Sequence, residues 1–329
     1  MIPTHILTGY LGSGKTTLLN RALKAPDMKN TLVVVNEYGE IGLDHLLMEN
    51  SNDAILELSN GCVCCMIRGE LVDTLLSLAN RKFDRLIIET TGLANPAPVA
   101  QALIGHPTIS QKFDLHSIIT MVDCITAFPN SNEEIEQQIA FADKIVISKA
   151  DLLNEDRRDA AIDECKQHIQ ATNPNAELVL ATDIDSPAEI FQQTGKLVAK
   201  PISTTRSHHH VTTITLHHEK PIPRQILDQF MEQAILRFGD DILRIKGLVY
   251  VAEHPDKPLV VHGVQNIFHQ PKKLDQWPNE PQTALVIITK LKNPEPIQRL
   301  FATFLNEPQI DTPDRAAMTE SPLTILGSG

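Results

Sequence analysis

Short apolar runs alternate with stretches of helical period through the first half of the chain. Ile6 and Leu7 end a strand that leads into a glycine-rich loop, and a helix fits residues 15–23. Nearly continuous apolar runs at 31–35, 85–88, 117–122, 144–148 and 177–180 have the composition of strands buried on both faces. Helical stretches at 71–79, 133–142 and 157–169 fall between them. This order predicts an α/β domain with a mainly parallel sheet and helices on both faces. The pattern weakens at 196–207, where Pro201 and several Ser and Thr residues mark a linker. Strands near 211–216, 243–251, 259–261 and 284–289, with helices near 224–238 and 295–304, then predict a smaller C-terminal α+β domain. The expected organisation is therefore 1–195, a linker at 196–207, a second domain at 208–305 and a loose polar tail at 306–329.

Composition narrows the function classes. Hydrophobic residues make up 42% of the 329 and charged residues 21%, which is ordinary for a globular protein. A formal charge of -12 argues against sequence-independent binding to nucleic acid and against docking on anionic membranes, both of which need a basic face. No apolar run approaches membrane-spanning length, and the first residues lack the order of a secretory signal. A cytoplasmic location is the expectation. Of five cysteines, three stand together at Cys62, Cys64 and Cys65. In a reducing compartment such a cluster points to a metal or redox site rather than a disulfide framework. Cys124 and Cys165 are isolated and are expected to be packing residues.

The loop Gly9-Tyr10-Leu11-Gly12-Ser13-Gly14-Lys15-Thr16-Thr17 fits G-x-x-x-x-G-K-[ST] between a strand and a helix. Its glycines let successive backbone N–H groups turn inward onto phosphate oxygens, and the helix start adds its positive end. Lys15 is expected on the β- and γ-phosphates and Thr16 on Mg²⁺. Glu89 ends an apolar strand and leads into Thr90-Thr91-Gly92, so its carboxylate is expected near the Mg²⁺ and the attacking water. Gly92 could then offer its N–H to the γ-phosphate. Asp123, ending the next strand, competes for the acidic role. Ser148-Lys149-Ala150-Asp151 supplies a base reader. The Asp151 carboxylate can accept from both the ring N–H and the 2-amino group of guanine, a donor pair that adenine lacks, while the Lys149 stem packs over the base. The usual first Asn of that motif is Ser148 here.

Between the second strand and Glu89 lies Asn60-Gly61-Cys62-Val63-Cys64-Cys65. Three thiolates at this spacing can converge on Zn²⁺ or Cu⁺ and leave one tetrahedral position for Glu40, His45 or a partner's ligand, an arrangement suited to a transferable ion. Buried small hydrophobes or a redox switch are the alternatives. The loop Asn36-Glu37-Tyr38-Gly39-Glu40 could report on both sites if Glu37 faces the nucleotide and Glu40 the metal. Arg68 could reach phosphate charge or remain a solvated helix-start residue.

Taken together, these motifs resemble the CobW-type GTPases, relatives of the nickel-insertion accessory GTPases. The matching pieces are Thr8 to Thr17, Asn36 to Glu40, Gly61 to Cys65, Glu89 to Gly92 and Ser148 to Asp151, and the stretch Arg244-Ile245-Lys246-Gly247-Leu248-Val249 resembles part of that family's C-terminal domain. The resemblance implies a slow GTPase that binds zinc, or in some members cobalt or another transition metal, and helps deliver it to a client metalloprotein. The histidines at 208–210 and the pair His217–His218 are candidates for weak metal loading. A nucleotide- or metal-dependent homo-oligomer stays open. Two other readings remain: a nucleotide-dependent metal sensor, and a P-loop small-molecule kinase, which explains the phosphate loop but not the cysteines.

Overall fold

The structure is a computed structural model that describes residues 1–35, 55–57, 66–128, 132–192, 205–206, 211–268 and 271–305. The first sheet has seven strands: β1 (Ile2–Gly9), β2 (Thr31–Val35), β3 (Ile55–Glu57), β4 (Arg85–Glu89), β5 (Phe113–Asp123), β6 (Lys144–Ser148) and β7 (Glu177–Leu180). Their order is β3-β2-β4-β1-β5-β6-β7, and every pairing is parallel. The helices between them are α1 (Lys15–Ala22), α2 (Met66–Leu78), α3 (Ala97–Gly105), α4 (Pro107–Lys112), α5 (Glu133–Phe141) and α6 (Glu155–Thr172). A parallel sheet with crossover helices gathers its strand ends, and the loops that leave them, along one edge.

The second sheet is built from β8 (Thr205–Arg206), β9 (Thr212–His218), β10 (Ile242–Val249), β11 (Leu259–Val264), β12 (Ile267–Phe268), β13 (Lys272–Lys273) and β14 (Thr283–Thr289). Its order is β12-β11-β10-β14-β9-β8, with β13 beside β11, and its pairings are antiparallel. Helices α7 (Arg224–Phe238) and α8 (Glu295–Phe304) cover one face. The other face packs on the first domain. Strand alternation divides the work: Leu285 and Ile287 of β14 join the cluster under α7 and α8, while Val286 and Ile288 join Phe113, Ala100, Leu103 and Phe141 of the first domain.

Several elements depart from the expected pattern, each for a physical reason. Helix α3 was not anticipated, because seven of its nine residues are buried and no polar face marks a helical period. It is enclosed on both sides, by the first sheet and by the C-terminal domain. β5 begins at Phe113 rather than 117 because the edge of the second domain covers its polar start, where Lys272 pairs with Asp114. α2 begins at Met66 rather than 71, immediately after the cysteine motif. No helix among the described residues is long and apolar enough to cross a membrane.

Candidate functional site

The phosphate loop joins β1 to α1. Gly9, Gly12 and Gly14 all hold positive φ, at 143°, 73° and 97°. Gly9 has a second constraint: a Cβ there would lie 2.4 Å from the Met121 carbonyl oxygen, so the loop's first turn needs both the torsion and the missing side chain. α1 starts without a side-chain cap and without an acidic residue in its first turn, leaving its leading N–H groups and dipole for an anion. Lys15 arches over the loop, and its Nζ donates to the carbonyls of Gly9 at 2.9 Å and Tyr10 at 3.4 Å. The buried Ser13 hydroxyl has no hydrogen-bond partner among the described residues. Thr17 is exposed on the first turn of α1.

Sheet register brings the acidic candidate to this loop. Glu89 pairs with Leu7 on one side and with Val35 on the other. The Thr16 hydroxyl donates to Glu89 Oε1 at 2.7 Å, and the Glu89 side chain is buried. Just beyond, Thr90 N–H donates to the Leu7 carbonyl, and the Thr90 hydroxyl donates to that of Thr8 at 2.8 Å. These bonds lock the start of the Thr90-Thr91-Gly92 turn against β1. Gly92 itself lies on the phosphate loop: a Cβ would stand 2.6 Å from Leu11 Cδ2 and 2.7 Å from the Leu11 backbone.

On the other side of β1, Asp123 and Ser148 are register partners at the ends of β5 and β6. Asp123, which competed with Glu89 for the acidic role, bonds to the turn that follows it and to Lys149. Its Oδ1 accepts from Ile125 N–H at 2.9 Å, and its Oδ2 accepts from the Thr126 hydroxyl and the Lys149 ammonium, both at 2.8 Å. Burial works to raise this carboxyl, yet the Lys149 contact and the other donors hold it below the usual carboxylate range. Asp123 thus fixes Lys149, whose backbone is left-handed at φ 64°, and Asp151 follows on an exposed turn. Ser148 ties the two halves of the site together. Its hydroxyl donates to the Ser13 carbonyl at 2.8 Å and also lies 3.3 Å from the Val122 carbonyl. The smaller residue in the first position of the motif therefore bonds directly to the phosphate loop.

The structure gathers Gly9, Gly12, Ser13, Gly14, Lys15, Thr16, Glu89, Gly92, Lys149 and Asp151 at or beside one sheet edge. Glu37, Glu40, Cys62, Cys64, Cys65, His45, the histidines at 208–210 and the Arg68 side chain lie outside what is described. Among the described residues no group of three or more His, Cys, Asp or Glu side chains is placed to hold a metal ion. His217 and His218 are neighbours on β9, so alternation sends them to opposite faces and they do not converge. Cys124 and Cys165 are buried among Ile139, Ile145 and Ile162, and burial pushes both thiols up, as packing residues behave. Sequence reasoning missed one residue of the site, Gln138 on α5. Its Nε2 donates to the carbonyls of Gly92 and Ala94, both at 3.1 Å. A glutamine within a helix carries no local signal for such a role.

Comparison with known proteins adds relatives to this geometry. Residues 3–180 match the family model for the CobW/HypB/UreG nucleotide-binding domain, and residues 211–305 match the cobalamin synthesis protein cobW C-terminal domain. The zinc chaperone YjiA of Escherichia coli (strain K12) is 29% identical over 319 residues, covering 92% of this chain and 98% of that protein. The zinc-regulated GTPase metalloprotein activator 1 of Dictyostelium discoideum is 29% identical over 309 residues, covering 78% of this chain and 64% of that one. Among solved structures, Zn(II)-bound YjiA GTPase from E. coli is similar with a TM-score of 0.67 at 25% identity, over 92% of this chain and 98% of that chain.

Proposed function

This chain belongs to the CobW/HypB/UreG family of P-loop GTPases, and from that premise we propose that it carries zinc to a client metalloprotein under the control of slow GTP hydrolysis. The observation that carries the nucleotide half of this reading is the 2.7 Å contact between Thr16 and Glu89, set beside the Ser148-Lys149-Ala150-Asp151 turn. A hydroxyl and a carboxylate at the foot of a phosphate loop are hard oxygen donors of the kind that hold Mg²⁺ beside a triphosphate. When bound, Mg²⁺ neutralises charge on the β- and γ-phosphate oxygens.

The chain's own residues take the remaining roles. The loop from Gly9 to Thr17 cradles the phosphates through backbone N–H groups, and Lys15 swings from the Gly9 and Tyr10 carbonyls onto the β- and γ-phosphates. Gly92 offers its N–H to the γ-phosphate. Glu89 and Glu37 orient the attacking water. Asp151 accepts from the guanine edge while Lys149, steadied by Asp123, packs its stem over the base. The cargo ion sits on the thiolates of Cys62, Cys64 and Cys65 with Glu40 as a fourth ligand. Zinc is favoured by this ligand set and by the relatives' names; Co²⁺ is a competitor for the same ligands. Because Glu37 and Glu40 share one segment, γ-phosphate binding would alter the metal site, and hydrolysis would release the ion.

The test is a Zn²⁺ titration of the reduced full chain against a competing chelator, with and without Mg²⁺ and a slowly hydrolysed GTP analogue. Nucleotide is expected to shift zinc affinity, and Cys64→Ala to abolish tight binding. Coupling between two sites is reciprocal, so zinc affinity that does not respond to nucleotide would overturn the trafficking mechanism.

A further inference from the structure

We propose that Gln138 is a positioning residue for GTP hydrolysis, holding the Gly92 carbonyl and linking it through α5 to the C-terminal sheet. The proposal rests on the GTPase reading above and adds to it the route by which the second domain senses the γ-phosphate.

Gln138 is buried, with 1% of its surface exposed, and its side-chain amide bonds to the segment that follows Glu89 at the nucleotide edge. Its side-chain amide donates to the Gly92 and Ala94 carbonyls, while its backbone carbonyl accepts from the Thr120 hydroxyl on β5 at 2.9 Å. It lines the same crevice as Tyr10 and Leu11 of the phosphate loop. Two bonds from one side chain fix the Gly92–Leu93 and Ala94–Asn95 peptides, and the first of these adjoins, across the Gly92 Cα, the peptide that carries the Gly92 N–H. A planar amide is well suited to this, because both its hydrogens are fixed in direction. Gly92 has no room to slide, since Leu11 is in contact with it on the other side.

Beyond Gln138, the helix ends at the second domain. The Phe141 carbonyl accepts from Arg244 Nη1. Asp143, two residues on, accepts at Oδ1 from Arg244 Nη2 and Lys246 Nζ, each at 2.5 Å, and at Oδ2 from the Ile118 N–H at 2.9 Å. Arg244 and Lys246 both lie on β10, the strand between β11 and β14 in the second sheet. A parallel connection runs through α3, which directly follows the Gly92 segment. Its Gln101 donates to Gln265 at 2.7 Å, and its C-terminal Gly105 meets Ile267 on β12. The segment at 92–96 is thus held between two helices that both end on the C-terminal sheet. Any displacement of Gly92 on γ-phosphate binding is passed to that sheet, and the docking of that sheet sets where Gly92 stands. Interdigitated cores move as bodies rather than deforming continuously, which makes such a linkage transmit.

The experiment uses the full chain as wild type, Gln138→Met, Lys246→Met and the double variant. Lys246→Met leaves Arg244 on Asp143 and so keeps the fold even if Gln138→Met does not. For each, the affinities for GDP and for a non-hydrolysable GTP analogue with Mg²⁺ are measured, together with kcat and KM for GTP. Gln138→Met is expected to lose about fivefold or more of the analogue-over-GDP preference and about tenfold in kcat, on the scale of one or two hydrogen bonds, with GDP affinity held. A role in stability alone would weaken both nucleotides equally. Lys246→Met is expected to lower the same preference about twofold, and the double variant to match Gln138→Met, because both act through α5. An unchanged preference in Gln138→Met or in Lys246→Met, or effects that multiply in the double variant, would overturn the linkage. Wild-type protein that bound neither nucleotide would overturn the GTPase reading and this one together.

Discussion

Asp151 is presented on an exposed turn, and its position is set by its neighbours rather than by its own contacts. Lys149 holds the left-handed torsion that turns the chain at the end of β6, and Asp123 fixes the Lys149 ammonium. Ser148 anchors the same turn to Ser13 of the phosphate loop. The Ser148–Asp151 turn and the phosphate loop are thereby held at one spacing. If Asp151 reads the ring N–H and 2-amino group of guanine, Asp151→Asn exchanges an acceptor pair for an acceptor and a donor. Loss of one hydrogen bond to a charged group, with the new donor set against the 2-amino donor, is expected to cost about 3 kcal/mol, or roughly a hundredfold in GTP affinity. The same variant should gain affinity for xanthosine triphosphate, whose 2-oxo group accepts from the new amide. Competition against a fluorescent guanine nucleotide checks this, and equal GTP binding by the variant would remove Asp151 from the base site.

At the scale of elements, the junction between α5 and β10 carries a buried ion group whose behaviour with pH follows from its surroundings. Asp143 and Arg244 are about 5% and 4% exposed. Burial alone would raise the Asp143 carboxyl, but Arg244 and Lys246 override it and hold the group well below the usual carboxylate range, while burial lowers Lys246. An acid whose folded pKa is depressed stabilises the fold above its unfolded pKa of about 3.9 and loses that contribution as pH falls toward the folded value. The Asp143 contribution is therefore complete at neutral pH and declines only below about pH 4. Asp143→Asn should cost about 3–5 kcal/mol at neutral pH, since it leaves a buried arginine without its carboxylate, and should flatten the acid limb of stability against pH. Denaturant titrations from pH 7 to pH 3 measure both, and an unchanged acid slope would show that other carboxylates dominate it. His5 acts in the same direction at higher pH: burial pushes it down to about 3, so it stays neutral in the folded chain while the unfolded chain protonates it below about 6.5, and stability declines as pH falls through that range.

Across the whole molecule, one apolar cluster runs from Leu32, Ile88 and Phe113 through α3 and α5 to Val211, Leu243, Val264, Val286 and Ile288 of the second sheet. Hydrogen bonds reinforce it at Gln101–Gln265, Thr213–Thr172 and Arg244–Phe141. A shared core of this kind makes the two sheets one cooperative unit rather than independently folding modules. Calorimetry of the full chain should show a single transition, and residues 1–192 expressed alone should lose much of their stability, with α3 exposed to solvent. Two resolved transitions, or a fragment as stable as the whole, would contradict this. Nucleotide should raise that single transition by mass action, so GDP is expected to protect the C-terminal sheet from unfolding as well as the first domain.

By itself the sequence determined the parallel α/β architecture, because β-branched runs such as Thr31–Val35 and Lys144–Ser148 are local signals and both match strands end to end. It also determined the phosphate loop, because a strand, a glycine-rich loop and a helix follow one another directly in the chain, whereas the bond from Thr16 to Glu89 came from the strand register. Helices α7 and α8 were equally legible, since each buries one face and leaves a helical period. Only tertiary structure decided that Asp123 bonds to Lys149, that Ser148 bonds to Ser13, and that Gln138 bonds to the Gly92 carbonyl. Each of these contacts joins residues 26 to 135 positions apart, and no spacing in the sequence records it. α3 escaped for a related reason: a helix buried between two domains has no polar face, and periodicity marks a helix only where one side meets water.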